Sequence, residues 1–411
     1  MALTRWTSTA TIGAAVSAGV QGVIILVISK ATLSADDFAP LAQLWAIWAV
    51  CAASFNYGNQ LWAAVNTAGP GILTTAAGAR MLGVLCAIGA GLGTATYLVR
   101  DQLFASESPW WPFFAALLPL GTAAVGLNRG ELARCGRAGA LAFVIAAENT
   151  LRIVATVILA VFDAPAWTYG GALILGFAVA AVPRSSRAYV RMPDPRSLVT
   201  ATGSGMAAHA LLFGSPLILA LGGGDPEEVV ALFLVLSAAR APFVLLQGVI
   251  PLVAVRFGLG KDDIGSTVRL ITLTGLVGAV IAFVGGGLLG DAIVGRIFSI
   301  QGEVSASVYG LVAATSMLSV AMTIVTVRLV ASNVIRPLVL AWSAPVTATI
   351  VAVLSGVLDD ISITARWILG CHVIVAALVL VTTSKRLLRS PSGLRVASDL
   401  GECGTAPAAR L

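Results

Sequence analysis

The sequence predicts an all-α polytopic membrane protein, with about twelve transmembrane helices in two six-helix lobes around a central cavity. Three observations predict it. Of the 411 residues, 58% are hydrophobic and only 11% are charged, whereas a soluble domain carries about 25% charged residues. The mean hydropathy of +0.95 agrees. Long apolar runs, about a dozen of them, are separated by short polar gaps. The charges, finally, alternate from gap to gap. With the N-terminus placed inside, 19 of the 25 Lys and Arg fall in inner gaps, four in outer gaps, and two (Arg152 and Arg240) within apolar runs. The acids run the other way: 12 of 19 are outer, six are inner, and Glu148 lies within a run. An excess of Lys and Arg in short cytoplasmic loops sets membrane orientation, and a wrong helix count would scramble the alternation. The pattern predicts twelve spans with both termini cytoplasmic.

In order, the spans are expected at 10–33, 41–66, 70–99, 109–128, 138–162, 165–184, 201–222, 229–255, 267–290, 304–328, 336–358 and 365–383. Each reaches the roughly 20 apolar residues that a bilayer crossing needs. The first follows Arg5 and resembles a signal peptide, but it is too long for one and lacks a convincing cleavage site, so it reads as an uncleaved helix. The third is overlong, and its first part, Gly71 to Arg80, fits the cytoplasmic interface. Outer gaps carry Asp36 and Asp37, Asp101 and Glu107, Asp163, Asp225 with Glu227 and Glu228, Asp291 and Glu303, and Asp359 with Asp360. Trp45, Trp62, Trp110, Trp111, Trp167 and Trp367 sit near span ends, as an aromatic belt does.

The longest basic gap holds Arg184, Arg187, Arg191 and Arg196 among prolines. It divides the chain into an N-lobe (1–184, helices 1–6), a basic cytoplasmic linker (185–200), a C-lobe (201–383, helices 7–12) and a cytoplasmic tail (384–411) whose small polar residues predict disorder. A thin internal repeat supports two parallel lobes. Gln60 and Arg80 bracket the second-to-third connection as Gln247 and Arg269 bracket the eighth-to-ninth. Arg129 and Arg137 flank the fourth-to-fifth connection as Arg328 and Arg336 flank the tenth-to-eleventh. Secondary transporters use such repeats, although the topology rule alone also puts Arg in those loops.

The net charge of +6 does not imply nucleic acid, because cytoplasmic loops facing anionic headgroups already account for it; the lipid bilayer is the expected partner. Arg far outnumbers Lys and Ala, Gly and Val dominate, a composition that fits a bacterial gene and hence the bacterial cytoplasmic (inner) membrane. Cys51, Cys86 and Cys371 lie in apolar runs and Cys135 and Cys403 on the cytoplasmic side, so free thiols are expected. The chain has no P-loop, no cluster with metal-ligand spacing and no nucleophile motif. It predicts no enzyme, no cofactor and no metal.

What is left is a set of polar residues at similar depth. Gln21 is central in span one and Asn56 in span two, with Asn59 and Gln60 a turn further in. Glu148, Asn149 and Arg152 are central in span five, His209 in span seven and Arg240 in span eight. Intramembrane charge costs about 2.5–3.5 kcal/mol on insertion scales, so it faces a bundle interior or a wet cavity. A cavity between the lobes would collect these residues at the midplane, where transporter sites lie. Glu148 and Arg152 are four apart on one helix face and can pair. They are either a structural ion pair, or a site in which Arg152 holds an anionic group while Glu148 orients it or exchanges a proton. Arg240, among the small residues of SAARAPF, has no acid within a helical turn. It contacts either substrate or a residue of another helix. Its planar fork matches phosphate. His209 reads as a substrate contact or an inter-helix hydrogen bond; Gln21, Asn56, Asn59 and Gln60 read mostly as packing polar groups. Pro242, Pro251 and Pro345 are expected to kink helices. On the offset that aligns the arginine pairs, Glu148 falls on Thr347 and Arg152 on Val351, so this charge belongs to one lobe.

Two stretches and the layout carry a family resemblance. RGELARCGRAGALAFVIAAENTLRIVATVILA (129–160) and EEVVALFLVLSAARAPFVLLQGVIPLVAVRF (227–257), in a 6+6 arrangement with amphipathic connections after helices two and eight, resemble the polysaccharide-flippase branch of the multidrug/oligosaccharidyl-lipid/polysaccharide (MOP) exporter superfamily. The resemblance implies alternating access. It implies an anionic substrate, a polyprenyl-diphosphate-linked oligosaccharide moved from the inner to the outer leaflet for surface polysaccharide synthesis, with Arg240 and Arg152 toward the diphosphate. Glycan polymerase or glycosyltransferases would be partners. The chain departs from lipid II flippases in having twelve spans and Gln21 in place of a basic residue. Three other readings compete. A cation- or proton-coupled drug exporter of the same superfamily would want acids in the cavity. A major-facilitator carrier would want a Gly-Asp-Arg loop where this chain has NTAGPGILTTAAGAR. A non-transporting membrane partner of a glycan synthase would need no cavity.

Overall fold

The computed structural model describes residues 2–56, 58–60, 76–134, 137–181, 209–240, 242–243, 246, 250, 253, 257, 263–332, 334 and 336–384. These residues are mostly helical, with no strand among them. The helices are α1 (Ala2–Thr32), α2 (Ala35–Cys51), α3 (Ala76–Leu98), α4 (Trp110–Arg134), α5 (Ala138–Val161) and α6 (Ala166–Leu175), then α7 (Ser215–Leu221), α8 (Pro226–Ala239), α9 (Ile264–Gly290), α10 (Ala306–Ala331), α11 (Arg336–Leu354) and α12 (Ile361–Ser384). Short helices Arg100–Phe104 and Arg296–Phe298 lie in the connections. Eight of these helical stretches are long and apolar enough to cross a membrane, and two shorter apolar ones, Ala166–Ala180 and Leu338–Leu354, join them. The chain is a multi-pass, all-helical membrane protein.

Local chemistry explains the helix starts. Ser34 caps α2 by accepting from the Asp37 amide, and Asp225 and Asp263 cap α8 and α9 in the same way. A side-chain oxygen there satisfies an amide that has no intrahelical partner. In the membrane the helices pack through small residues, which let backbones approach closely. A Cβ added at Gly89 or Gly93 of α3 would meet Ala116 of α4, and one added at Gly275 or Gly286 of α9 would meet Ala321 or Ala313 of α10.

The two halves repeat one packing scheme. In the first half α1 packs on α5, α3 on α4, α2 on α4 and α6, and α6 on α4 and α5. Adding six to each helix number gives contacts that the second half also makes: α7 with α11, α9 with α10, α8 with α10 and α12, and α12 with α10 and α11. Between the halves, α2 touches α7 and α8, the Arg100–Phe104 helix touches α7, and α1 touches the Arg296–Phe298 helix. The connections after α1, α3 and α5 border a common cavity, so the odd connections share one end. That end carries Asp36, Asp37, Asp163 and their like and is called the acidic end here.

The structure corrects four expectations. Arg129 and Arg328 are not loop residues: both lie inside helices, 6% and 2% exposed. Span eight is interrupted, because α8 stops at Ala239 and its C-cap is Arg240, two residues before the proline expected to kink this span. Trp45 and Trp111 are 5% and 2% exposed and belong to the core, not to a belt. Span two is not a uniform α-helix, since Ala52–Asn56 widens into a π-turn. The basic linker, the interfacial stretch up to residue 75, Trp62, Gln247, Pro251 and the C-terminal tail lie outside the described residues.

Candidate functional site

The charges of α4 and α5 form one unit. The two helices are joined by a tight connection, which brings Arg129, five residues before the end of α4, beside Glu148, ten residues into α5. Glu148 bridges two guanidinium groups. Arg129 Nη2 donates to Oε2 at 2.5 Å, and Arg152 Nη2 lies 2.7 Å from Oε1. All three side chains are nearly inaccessible, at 8%, 4% and 1% relative exposure. Arg152 also donates from Nε to the Leu173 carbonyl at 3.0 Å and from Nη1 to Asn149 Oδ1 at 3.1 Å. Its guanidinium lies over Trp48 of α2 and Phe177 beyond α6, at 4.8 and 5.5 Å. The space is tight: a Cβ at Gly176 would meet the Arg152 guanidinium. The unit carries two positive charges and one negative.

Gln21 and Asn149 stitch α1 to α5. Gln21 Nε2 donates to Thr150 Oγ1 at 3.3 Å, and Asn149 Nδ2 donates to the Ala18 carbonyl at 3.4 Å. Asn56 ends the π-turn of α2, where the Gly126 face of α4 presses on its backbone; its Oδ1 is buried and has no hydrogen-bond partner.

The second half holds a different arrangement. Arg240 is 8% exposed. It stacks over Phe213 at 4.8 Å and Phe233 at 5.7 Å, and its Nε and Nη2 donate to nothing. Phe213 in turn stacks on His209 and meets Phe243 edge-on. His209 is fully buried against α10, where Thr323 Oγ1 lies 3.0 Å from Nε2 and Ser319 Oγ 3.4 Å from Nδ1. The Thr323 hydroxyl already donates to the Ser319 carbonyl, so its oxygen accepts from His209.

The sequence-derived candidates therefore divide. Glu148, Asn149, Arg152 and Gln21 come together in the first half, Arg240 and His209 in the second. The structure sets them in two clusters, one in each half. Sequence reasoning missed Arg129 as the second partner of Glu148. The signal was partial: a short turn makes α4 and α5 antiparallel neighbours, which brings Arg129, near the end of α4, to the first half of α5. It missed Arg328 likewise, which donates from Nη1 to the Phe257 carbonyl at 2.8 Å. Among the described residues no three His, Cys, Asp or Glu side chains form a metal-holding group.

No protein-family model matches the chain, and no curated protein matches it in sequence. Solved structures do match. An inward-facing multidrug resistance MATE family transporter of the MOP superfamily aligns with a TM-score of 0.56 at 12% identity, over 92% of this chain and 97% of that one. A eukaryotic MATE transporter aligns at 0.55 and 14%, over 92% and 94%. A MOP superfamily transporter from Pyrococcus furiosus, described as having a binding pocket of reversed polarity, aligns at 0.50 and 13%, over 92% and 97%. These likenesses establish the fold: the chain has the two-lobed architecture of MATE transporters.

Proposed function

We propose that the chain is a membrane transporter that moves a polyprenyl-diphosphate-linked oligosaccharide from the inner to the outer leaflet by alternating access, for surface polysaccharide synthesis. The acidic end faces outward and both termini face the cytoplasm, as the distribution of Lys and Arg requires. One observation carries the reading: the sign of the buried charge. Among the described buried residues, Arg129, Arg152, Arg240 and Arg328 stand against Glu131 and Glu148. A guanidinium inside a membrane is costly and is kept where it serves a pathway or a partner. Arg240 has Nε and Nη2 donors without acceptors, and a phosphate takes two parallel N–H donors from one arginine.

An exporter of organic cations needs an acid free to hold them. Glu148 is engaged on both oxygens by arginines, which argues for an anion. Glycosyltransferases that build the lipid-linked saccharide and a polymerase that consumes it would be the functional partners. The test is genetic: delete the gene in its host and measure lipid-linked saccharide and surface glycan. The reading expects the lipid-linked precursor to accumulate, surface glycan to fall, and Arg240→Ala or Arg152→Ala to fail to rescue at normal membrane abundance. An unchanged precursor pool would overturn it.

A further inference from the structure

The second half holds a histidine whose two ring nitrogens both face hydroxyls. His209 is fully buried; Thr323 Oγ1 of α10 lies 3.0 Å from Nε2 and Ser319 Oγ 3.4 Å from Nδ1. The Thr323 hydroxyl already donates to the Ser319 carbonyl. Nε2 therefore carries the hydrogen, and Nδ1 turns a lone pair toward Ser319. A hydroxyl donates or accepts according to how it rotates. If Nδ1 binds a proton, Ser319 Oγ turns from donor to acceptor and no heavy atom has to move. Both charge states of the ring are thus hydrogen-bonded, as a buried polar group requires. His372 of α12 is held differently: its Nδ1 donates to the Ile368 carbonyl at 2.8 Å, which fixes its tautomer.

The hydroxyl lining continues along α10. Ser316, Ser319, Thr323 and Thr326 recur at helical spacing and are at most 3% exposed. Ser316, the one nearest the acidic end, has a buried hydroxyl with no hydrogen-bond partner. A buried hydroxyl is ordinarily paired, often with water, so this one extends a polar line from His209 toward that end.

Two groups that carry or can take charge face the ring. The Arg240 guanidinium lies 4.8 Å from the Phe213 ring, on which His209 stacks at 5.7 Å, so one aromatic ring separates the two. His372 acts on His209 electrostatically from α12. Arg328 and Arg366 lie toward the ends of α10 and α12. Within the described helices α7 to α12, the acids are Glu227 and Glu228, in the first turn of α8. No carboxylate there balances a proton on the ring.

An anion does. A diphosphate carries more negative charge than one guanidinium offsets, and surplus charge inside a membrane is costly. Arginine cannot vary its charge; histidine can, near neutral pH. We propose that His209 is a proton-binding site linked to the anion: Nδ1 takes one proton from water as a diphosphate engages Arg240, and returns it to water when the anion leaves. One N–H bond forms and breaks, and nothing is oxidised or reduced. Linkage is reciprocal, so the proton strengthens anion binding by the same factor. The anion is that of the transport reading, on which this coupling rests.

The test uses the full chain in nanodiscs, purified through a tag without histidine. The chain has two histidines, so nitrogen-15 histidine NMR follows both rings, and His372→Gln tells them apart. The probe is farnesyl-diphosphate-linked N-acetylglucosamine, whose diester phosphates do not titrate near neutral pH; farnesyl N-acetylglucosaminide is the uncharged control. Calorimetry in buffers of different ionisation enthalpy counts protons. About one proton is expected to be taken up per diphosphate bound, with the His209 signals moving to those of imidazolium and no change with the control. His209→Gln, which still hydrogen-bonds the α10 hydroxyls, is expected to bind about tenfold more weakly and to take up no proton. Binding without proton uptake overturns the proposal, and so does uptake that persists in His209→Gln. If the diphosphate does not bind, the transport reading falls, and a pH titration of the same signals decides the site by itself. Reversible protonation of His209 in the folded protein then upholds the site; a ring that stays neutral until the protein unfolds overturns it.

Discussion

At the scale of single residues, the arrangement turns on how Glu148 and Arg240 differ. Glu148 neutralises one of two adjacent guanidiniums, so its removal strands Arg129 and Arg152 together in the bundle. Breaking a buried pair costs about 3–5 kcal/mol, because an uncompensated charge stays behind. Glu148→Ala is therefore expected to lower the melting midpoint in detergent markedly, with Glu148→Gln intermediate; a Glu148→Ala midpoint equal to wild type would show that the three charges are not coupled. Arg240 has no protein acceptor at Nε or Nη2, so Arg240→Met gives up only its contacts with Phe213 and Phe233, worth roughly 0.5–2 kcal/mol. Its fold should survive with little loss, and a melt comparable to Glu148→Ala would mean that Arg240 has a structural acceptor. This asymmetry was only half legible beforehand. The i,i+4 spacing announced the 148–152 pair, because helix geometry is local. Arg129 was hidden by the assumption that basic residues near a span end are loop residues; α4 runs on to Arg134 and carries Arg129 inside.

At the scale of elements, spans were legible and their interruptions were not. Apolar run length and charge placement locate α5, α9 and α10 to within a few residues, since crossing the bilayer demands both. The π-turn at Ala52–Asn56 has no such signature, because its cause is tertiary: Gly126 of α4 lies against the backbone of Asn56, with Asn56 Cα only 2.8 Å from where a Cβ would stand. Gly126→Ala gains up to about 1 kcal/mol in helix propensity but incurs overpacking of about 1–3 kcal/mol. A net loss of thermal stability is expected, and a stabilised variant would contradict this packing. The start of α9 gives a pH prediction. Backbone and side-chain hydrogen bonds from Ser266 hold the Asp263 carboxyl below its ordinary range. A lowered folded pKa means that the cap is fully present above the ordinary Asp pKa of about 3.9 and is lost as pH falls through the lower folded value. Hydrogen exchange should show the Ser266 amide protected at pH 7, with protection lost under strong acid and, at every pH, in Asp263→Ala. Equal protection in that variant at pH 7 would exclude the cap.

At the scale of the whole molecule, the repeat was visible in the sequence only as matching arginines and glutamines. The structure turns it into matching helix pairs, while the site stays asymmetric: an ion triad in one half, an arginine between phenylalanines in the other. Arg152 is buried against Trp48 and Phe177 of its own half. The halves also meet at the acidic end, where Lys30 of α1 donates to the Phe298 carbonyl at 2.6 Å. A lysine suits the carbonyls left open at a helix C-terminus. If the halves rock, this bond must break when the acidic end opens. Lys30→Met is expected to lengthen the distance between spin labels at Ser106 and Asp359, on acidic-end connections of opposite halves. An unchanged distance distribution would show that Lys30 does not hold the halves together.

The central claim is that buried guanidinium groups carry an anionic lipid-linked glycan across the bilayer. The most direct measurement reconstitutes the purified protein into vesicles holding a fluorescent polyprenyl-diphosphate saccharide and follows quenching by a membrane-impermeant reductant. The account predicts protein-dependent flipping that Arg240→Met abolishes without loss of folded protein, and no flipping of an uncharged polyprenyl saccharide lacking the diphosphate. Flipping that ignores the diphosphate, or that survives Arg240→Met at full rate, would contradict it.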